Sequence, residues 1–136
     1  MAVPFLACMT AVAAFYGLPP RVLPSIQAVE GGQVGTVSRN LDGSEDLGVM
    51  QVNTRWLESV AQLTGLPVET VRERLIGDAC FNIAAAGAIL HNNLQASNGD
   101  LMQAVGNYHS RTPELHSTYV ARVLEAASRL FGPSSR

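Results

Sequence analysis

Ile26-Gln27-Ala28-Val29-Glu30-Gly31-Gly32, followed by Asp42-Gly43-Ser44-Glu45-Asp46-Leu47-Gly48-Val49-Met50-Gln51-Val52-Asn53-Thr54-Arg55-Trp56, is the stretch on which the fold turns. Its first part ends an apolar helical run. Glu30 lies four residues after Ile26 and seven after Leu23, so its carboxylate emerges on the apolar face. Gly31-Gly32 then stops the helix. Asp46 follows on a turn-rich, polar segment. Burial raises the pKa of the first carboxyl, while polar surroundings keep the second ionised. Two carboxylates split in this way suit acid–base cleavage of a glycosidic bond.

The rest of the chain supports one enclosed domain over residues 1–136. A length of 136 residues suffices for one core, and a 47% hydrophobic content is ordinary for a globular chain. The net charge of −2 gives no reason to expect nucleic acid or an acidic membrane surface as a partner. No apolar run reaches the roughly 18 residues that span a bilayer. Residues 2–18 are apolar but lack the basic residues that open a signal peptide, so they are read as a core helix and no export signal is expected in this chain.

Periodicity predicts a helix from Phe5 to Tyr16, stopped by Gly17 and Pro19-Pro20, and another from about Arg21 to Glu30. Pro24 is tolerated in a first turn and costly further in, which favours a late start for the second helix. Val34–Arg39 and Leu47–Val52 are expected to pair as a small, irregular hairpin. Thr54 is expected to cap a helix running to Gly65. Pro67 opens a short helix that ends near Gly77, and Asp78 caps a longer one. In the latter, Ala84-Ala85-Ala86-Gly87-Ala88 permits close approach of a neighbouring helix. Asp100 caps a helix from Leu101 to about Tyr108, and Pro113 starts the last, which ends at Gly132-Pro133. The tail Pro133–Arg136 is expected to fray.

Taken as residues alone, the chemistry-bearing side chains admit more than one role. Glu30 is a solvated helix end or a buried acid, and the apolar face favours the acid. Asp46 can bond its own turn. Gln51 and Asn53, alternating with buried valines, can hold a hairpin together. Tyr108 and Tyr119 can be core tyrosines. Cys8 and Cys80 are two small buried hydrophobes or one bridge. His109-Ser110 lacks a nucleophile elbow, and His91, His109 and His116 lack zinc-ligand spacing, so neither a hydrolase triad nor a metal site is expected.

The motifs together resemble the lysozyme-like superfamily. They are most similar to small bacterial lytic transglycosylases associated with secretion, conjugation and pilus assembly. The carriers are Glu30 after its apolar helix, Gly48-Val49-Met50-Gln51-Val52-Asn53, and Tyr108-His109-Ser110. The segment Asp42–Trp56 also resembles the active-site hairpin of c-type lysozymes. The resemblance implies an α+β, mainly α domain with a goose-type lysozyme/transglycosylase core (about residues 5–131) and a small β-hairpin. It implies Glu30 as general acid and then base. It gives Asp46 the task of stabilising or attacking the sugar cation, with carboxyl groups ~5–5.5 Å apart if the enzyme is retaining. It places Met50, Gln51, Tyr108 and His109 along the sugar cleft, Asn53 as a brace for the loop, and Tyr119 beside Glu30. It pairs Cys8 with Cys80 in a disulfide, which suits an oxidising compartment. Gly31 departs from the pattern, which usually has Ser there.

The expected activity is cleavage of the β-1,4 bond between N-acetylmuramic acid and N-acetylglucosamine, giving 1,6-anhydro products, with no cofactor and no metal. The expected partners are peptidoglycan glycan strands and components of a wall-spanning secretion or pilus apparatus. The protein is expected to be a periplasmic or secreted monomer. Rival readings are a hydrolytic lysozyme using Glu30 and Asp46, or a non-catalytic peptidoglycan-binding assembly protein.

Overall fold

The computed structural model describes residues 3–132. Among them are helices α1 (Leu6–Tyr16), α2 (Val22–Glu30), α3 (Leu57–Thr64), α4 (Val68–Gly77), α5 (Ala79–Ala96), α6 (Leu101–His109) and α7 (Pro113–Phe131). Strands β1 (Val37–Arg39), β2 (Glu45–Leu47) and β3 (Val52–Asn53) form an antiparallel sheet in that order. The mainly helical α+β architecture is the one expected. The predicted fraying of Pro133–Arg136 lies outside the described residues.

Helix α5 is the central post. Its buried residues Ile83, Ala86, Ile89 and Leu90 meet α1 on one side and α6 on another. The small-residue run does what its composition predicts. A side chain at Gly87 would run into Val12 and into Tyr16 Cδ2 at 3.1 Å, so side chains of α1 pack directly on the α5 backbone there. Cys8 and Cys80 close the same contact as a disulfide, with Cα atoms 5.5 Å apart and the two cysteines 72 positions apart in the chain. Such a bridge restricts the unfolded chain and contributes ~2–4 kcal/mol.

Helix α2 packs on α7, with Leu23 and Ile26 wholly buried. It starts at Val22 and not late. Pro24 is its third residue, where a backbone N–H would find no acceptor within the helix, so the ring costs little. The helix ends at Gly31, which adopts φ 68° and donates its N–H to Gln27 O at 2.8 Å.

The hairpin differs from the expectation in one respect that shapes the site. Val37 does pair with Leu47, but the extended run stops there, and Val52 belongs to a separate strand that pairs back on Leu47. Between them, Gly48–Gln51 form a tight turn, with Gly48 at φ 69° and Gln51 at φ 52°. A side chain on Gly48 would collide with Leu75 O and the Asn82 amide, so only glycine fits. Thr54 is not the helix cap. Asn53 accepts from Arg55 N at 2.9 Å and opens a short 3-10 turn, Thr54–Trp56, that leads into α3. The Thr54 hydroxyl instead accepts from Glu45 N at 3.1 Å and ties β2 to that turn. Asp78 and Asp100 cap α5 and α6 as predicted, accepting from Phe81 N and Gln103 N.

Candidate active site

Helix α2, the sheet and the α6–α7 junction enclose a cleft of about 390 Å³. Glu30, Asp46, Gln51, Asn53, Tyr108 and His109 all line it. The fold therefore brings together residues up to 79 positions apart in the chain.

Glu30 is the last residue of α2 and is partly buried. Its Oε2 accepts the Tyr119 hydroxyl at 2.8 Å. Burial raises its pKa to about 7, against the opposing hydrogen bond from Tyr119. Asp46 adds to the rise as a facing negative charge, and Arg122 opposes it from α7. The α2 dipole acts with burial, since its negative end points at the carboxylate and no basic residue occupies the last turn. Around neutral pH, Glu30 is thus divided between its protonated and ionised forms, which is where a group that must give and then take a proton works best.

Asp46 sits in the middle of β2, opposite Ser38 on one side and Asn53 on the other. Its Oδ1 accepts from Asn53 Nδ2 at 2.9 Å, and the same amide reaches Ser44 Oγ at 3.1 Å. Asn53 thus braces the hairpin and aims the aspartate, while its own Oδ1 starts the following turn. On the other side of β2, Glu45 is gripped by Arg72 of α4 at 2.8 Å and by Arg39 at 3.4 Å. Alternation along the strand places Asp46 on the cleft side and Glu45 against the helices.

Gln51 lines the cleft, but its amide nitrogen donates to Gly48 O at 3.0 Å and Asp46 O at 3.3 Å. Met50 is a correction. Its side chain is wholly buried and does not line the cleft. The turn rotates it inward, and its backbone is what matters: Met50 O accepts the Tyr108 hydroxyl at 2.8 Å. Tyr108 is correspondingly buried, and its hydroxyl is engaged by that carbonyl. Burial first, then the charge of Glu30, pushes its pKa well up, so it stays a neutral donor.

Tyr119 is buried on α7, and the His109 ring stacks on it at 4.8 Å between centroids and 10° between planes. Partial burial lowers the His109 pKa. Gly106, one turn before, allows this junction to close, since a side chain there would overlap the His116 ring. At Gly31 there is no side chain beside Glu30, and a serine there would need a left-handed backbone.

Two residues outside the sequence reading prove structural for the site. Asn82 of α5, wholly buried, donates to Leu47 O and Leu75 O and accepts from Met50 N, all at 2.8 Å. It holds the Gly48–Gln51 turn to the helical core. Its signal is an asparagine in line with Ala86, Ile89 and Asn93 on a buried helix face, where a polar group must be hydrogen-bonded. Arg55 lines the cleft from the 3-10 turn, 5.6 Å from the Trp56 ring centroid.

Comparison with known proteins accords with this geometry. The family model for the transglycosylase SLT domain matches residues 7–118. The invasion protein IagB of Salmonella typhimurium, in strains SL1344 and LT2, is 27% identical over 105 residues, which are 74% of this chain and 62% of IagB. The chain therefore spans less than two thirds of the length of these curated relatives. The mainly α fold with its small antiparallel sheet is that of lysozyme-like SLT domains. The chain belongs to the transglycosylase SLT domain family, whose members are lytic transglycosylases that degrade peptidoglycan.

Proposed function

We propose that the protein cuts the β-1,4 bond between N-acetylmuramic acid and N-acetylglucosamine in peptidoglycan and releases 1,6-anhydro-muramic products. The observation that carries this reading is Glu30, held at a pKa of about 7 in a cleft that also contains Asp46. Protonated Glu30 delivers its proton to the glycosidic oxygen as the bond to the anomeric carbon breaks. The resulting carboxylate takes a proton from the 6-hydroxyl of the same sugar as that oxygen closes on the anomeric carbon. Tyr119 orients the carboxyl throughout. Asp46, with its free lone pairs facing the cleft, offsets the positive charge that develops on the ring. Gln51 and His109 are assigned contacts with the sugars, and Tyr108 supports the cleft wall through Met50 O.

A hydrolytic outcome is the second reading, and Asp46 is the observation that favours it. In that case water, not the 6-hydroxyl, reaches the anomeric carbon, and Asp46 stabilises or traps the sugar cation. The family assignment and the Tyr108-His109-Ser110 motif support the transglycosylase. The name "invasion protein" of the relatives fits local opening of the wall for a secretion, conjugation or pilus machine, from a periplasmic or secreted position. Among the described residues, no helix is long and apolar enough to cross a membrane. A monomer suffices, since the cleft is complete within one chain.

Mass spectrometry of muropeptides released from purified sacculi separates the two outcomes. Products dominated by 1,6-anhydro ends are expected. Reducing-end muramic acid as the main product would make the protein a lysozyme. Release of neither would leave a peptidoglycan-binding protein.

A further inference from the structure

Two contacts, one helical turn apart, join α6 to α7. Gly106 and His109 stand three residues apart on α6, and His116 and Tyr119 stand three apart on α7, so each pair shares a helix face. His109 stacks on Tyr119. The half-buried His116 ring lies over Gly106 and fills the place that a side chain there would take. Its Nδ1 is 3.1 Å from Ser110 O. A carbonyl only accepts, so Nδ1 carries the proton, and this N–H is kept if the other ring nitrogen is protonated as well. Ser110 leaves α6 in an extended conformation, φ −163° and ψ 149°, so its carbonyl lies outside the helix ladder. The bond from His116 thus closes the corner at residues 110–112 onto the first turn of α7, where His116 N also donates to Thr112 O at 2.8 Å.

The same helix carries Tyr119 one turn on, and its hydroxyl donates to Glu30 Oε2 at 2.8 Å. We propose that His116 is a positioning residue for the acid: by holding the Ser110 carbonyl and filling the space over Gly106, it sets the placement of α7 on which the Tyr119–Glu30 bond depends. His116 is not in the lining of the catalytic cleft. The charged and titratable groups that face Glu30 are Asp46 from β2, Tyr108 from α6, and Tyr119 and Arg122 from α7. His116 therefore acts on Glu30 through Tyr119 and not through its own charge. The proposal rests on the reading of Glu30 as the acid and adds what holds its hydrogen-bond partner in place.

The bond from Tyr119 favours the ionised carboxylate, so loosening it raises the pH at which Glu30 titrates. The test reads that midpoint by ¹³C NMR of the carboxyl, together with the alkaline limb of the pH–rate profile on purified peptidoglycan. His116→Phe fills the space over Gly106 but has no N–H to give. Midpoint and limb should rise together by about 0.5 in pH, with about a threefold loss of rate at the optimum. His116→Gln offers an amide N–H to the same carbonyl and should restore most of both. Gly106→Ala displaces the same ring from the other side and should give the same rise, so the test does not hang on one variant folding. In Tyr119→Phe protein, His116→Phe should move the midpoint no further. A midpoint unmoved by His116→Phe and by Gly106→Ala, or an equal rise in the Tyr119→Phe background, overturns the proposal. The reading of function fails separately. A midpoint that moves as expected in a protein that cleaves no peptidoglycan keeps the positioning role and removes the substrate. Cleavage with an unmoved midpoint does the reverse.

Discussion

Two carboxylates of the cleft, Glu30 and Asp46, are held by opposite means. Glu30 stands at the end of a helix that packs on α7 and is buried from Val22 to Ile26, with one hydrogen bond from Tyr119 as its polar support. Asp46 stands on a three-residue strand in which Leu47 is buried and hydrogen bonds fix the rest: from Asn53 to the Asp46 side chain, from Asn82 to Leu47 O, and from Arg72 to Glu45. An apolar setting makes a carboxyl hold its proton, and a polar lattice fixes the direction in which the other points. The same domain provides both by closing a helix end against a small sheet.

Substitution at the two positions should separate them widely. Glu30→Gln keeps shape and burial but has no proton to deliver, so turnover should fall by about 10³-fold. Asp46→Asn should cost about tenfold, because the substrate's own acetamido group shares the task of stabilising the cation. Equal losses at both positions, in rates measured on purified peptidoglycan, would erase the distinction. Glu30→Gln also carries a stability signature. The folded pKa is raised, so the native state binds more protons than the unfolded chain between about pH 4.5 and 7. Stability from this group is therefore full at low pH and is lost as pH rises towards 7. The Gln variant escapes that loss and should be more stable than wild type at pH 8, by up to about 3 kcal/mol, with the gain gone at pH 4.

The polar lattice should be the more fragile of the two supports. Asn82→Ala leaves Met50 N–H and the carbonyls of Leu47 and Leu75 without their partner in the core. Denaturant unfolding should show a loss of about 2–4 kcal/mol. A loss below about 0.5 kcal/mol would mean that the turn stands without its anchor.

The smallest effect is expected at the polar support of Glu30. Tyr119→Phe removes a hydrogen bond that favours the ionised carboxylate, so the Glu30 pKa should rise further. The alkaline limb of the pH–rate profile should move upward, with about a fivefold loss at the optimum from poorer orientation. An unshifted limb would show that the tyrosine does not act on the acid.

Most helices, and the caps other than the one expected at Thr54, were legible in the sequence because periodicity, Gly and Asp act locally. Asp78, Asp100 and Pro113 stand where the sequence places them. The buried face bearing Glu30 was legible for the same reason. The turn from Gly48 to Gln51 was not. An alternating run reads as one strand, and it breaks because Gly32, Leu75 and Asn82 crowd against it from distant parts of the chain. That tertiary constraint turns Met50 inward, away from the cleft. It also converts Gln51 from a strand residue into a left-handed corner. Gly32 shows the same force from the other side, since a side chain there would overlap the Gly48 carbonyl and approach Val49 O at 2.7 Å.

The central claim is that burial together with a facing aspartate sets Glu30 to titrate near neutrality. A ¹³C NMR titration of the glutamate side-chain carboxyls, with Glu30 assigned by its loss in Glu30→Gln, measures this directly. The expected midpoint is about 7 in wild-type protein, moving down in Asp46→Asn as the facing charge is removed. A midpoint near the ordinary 4.5, or one indifferent to Asp46→Asn, would contradict the account.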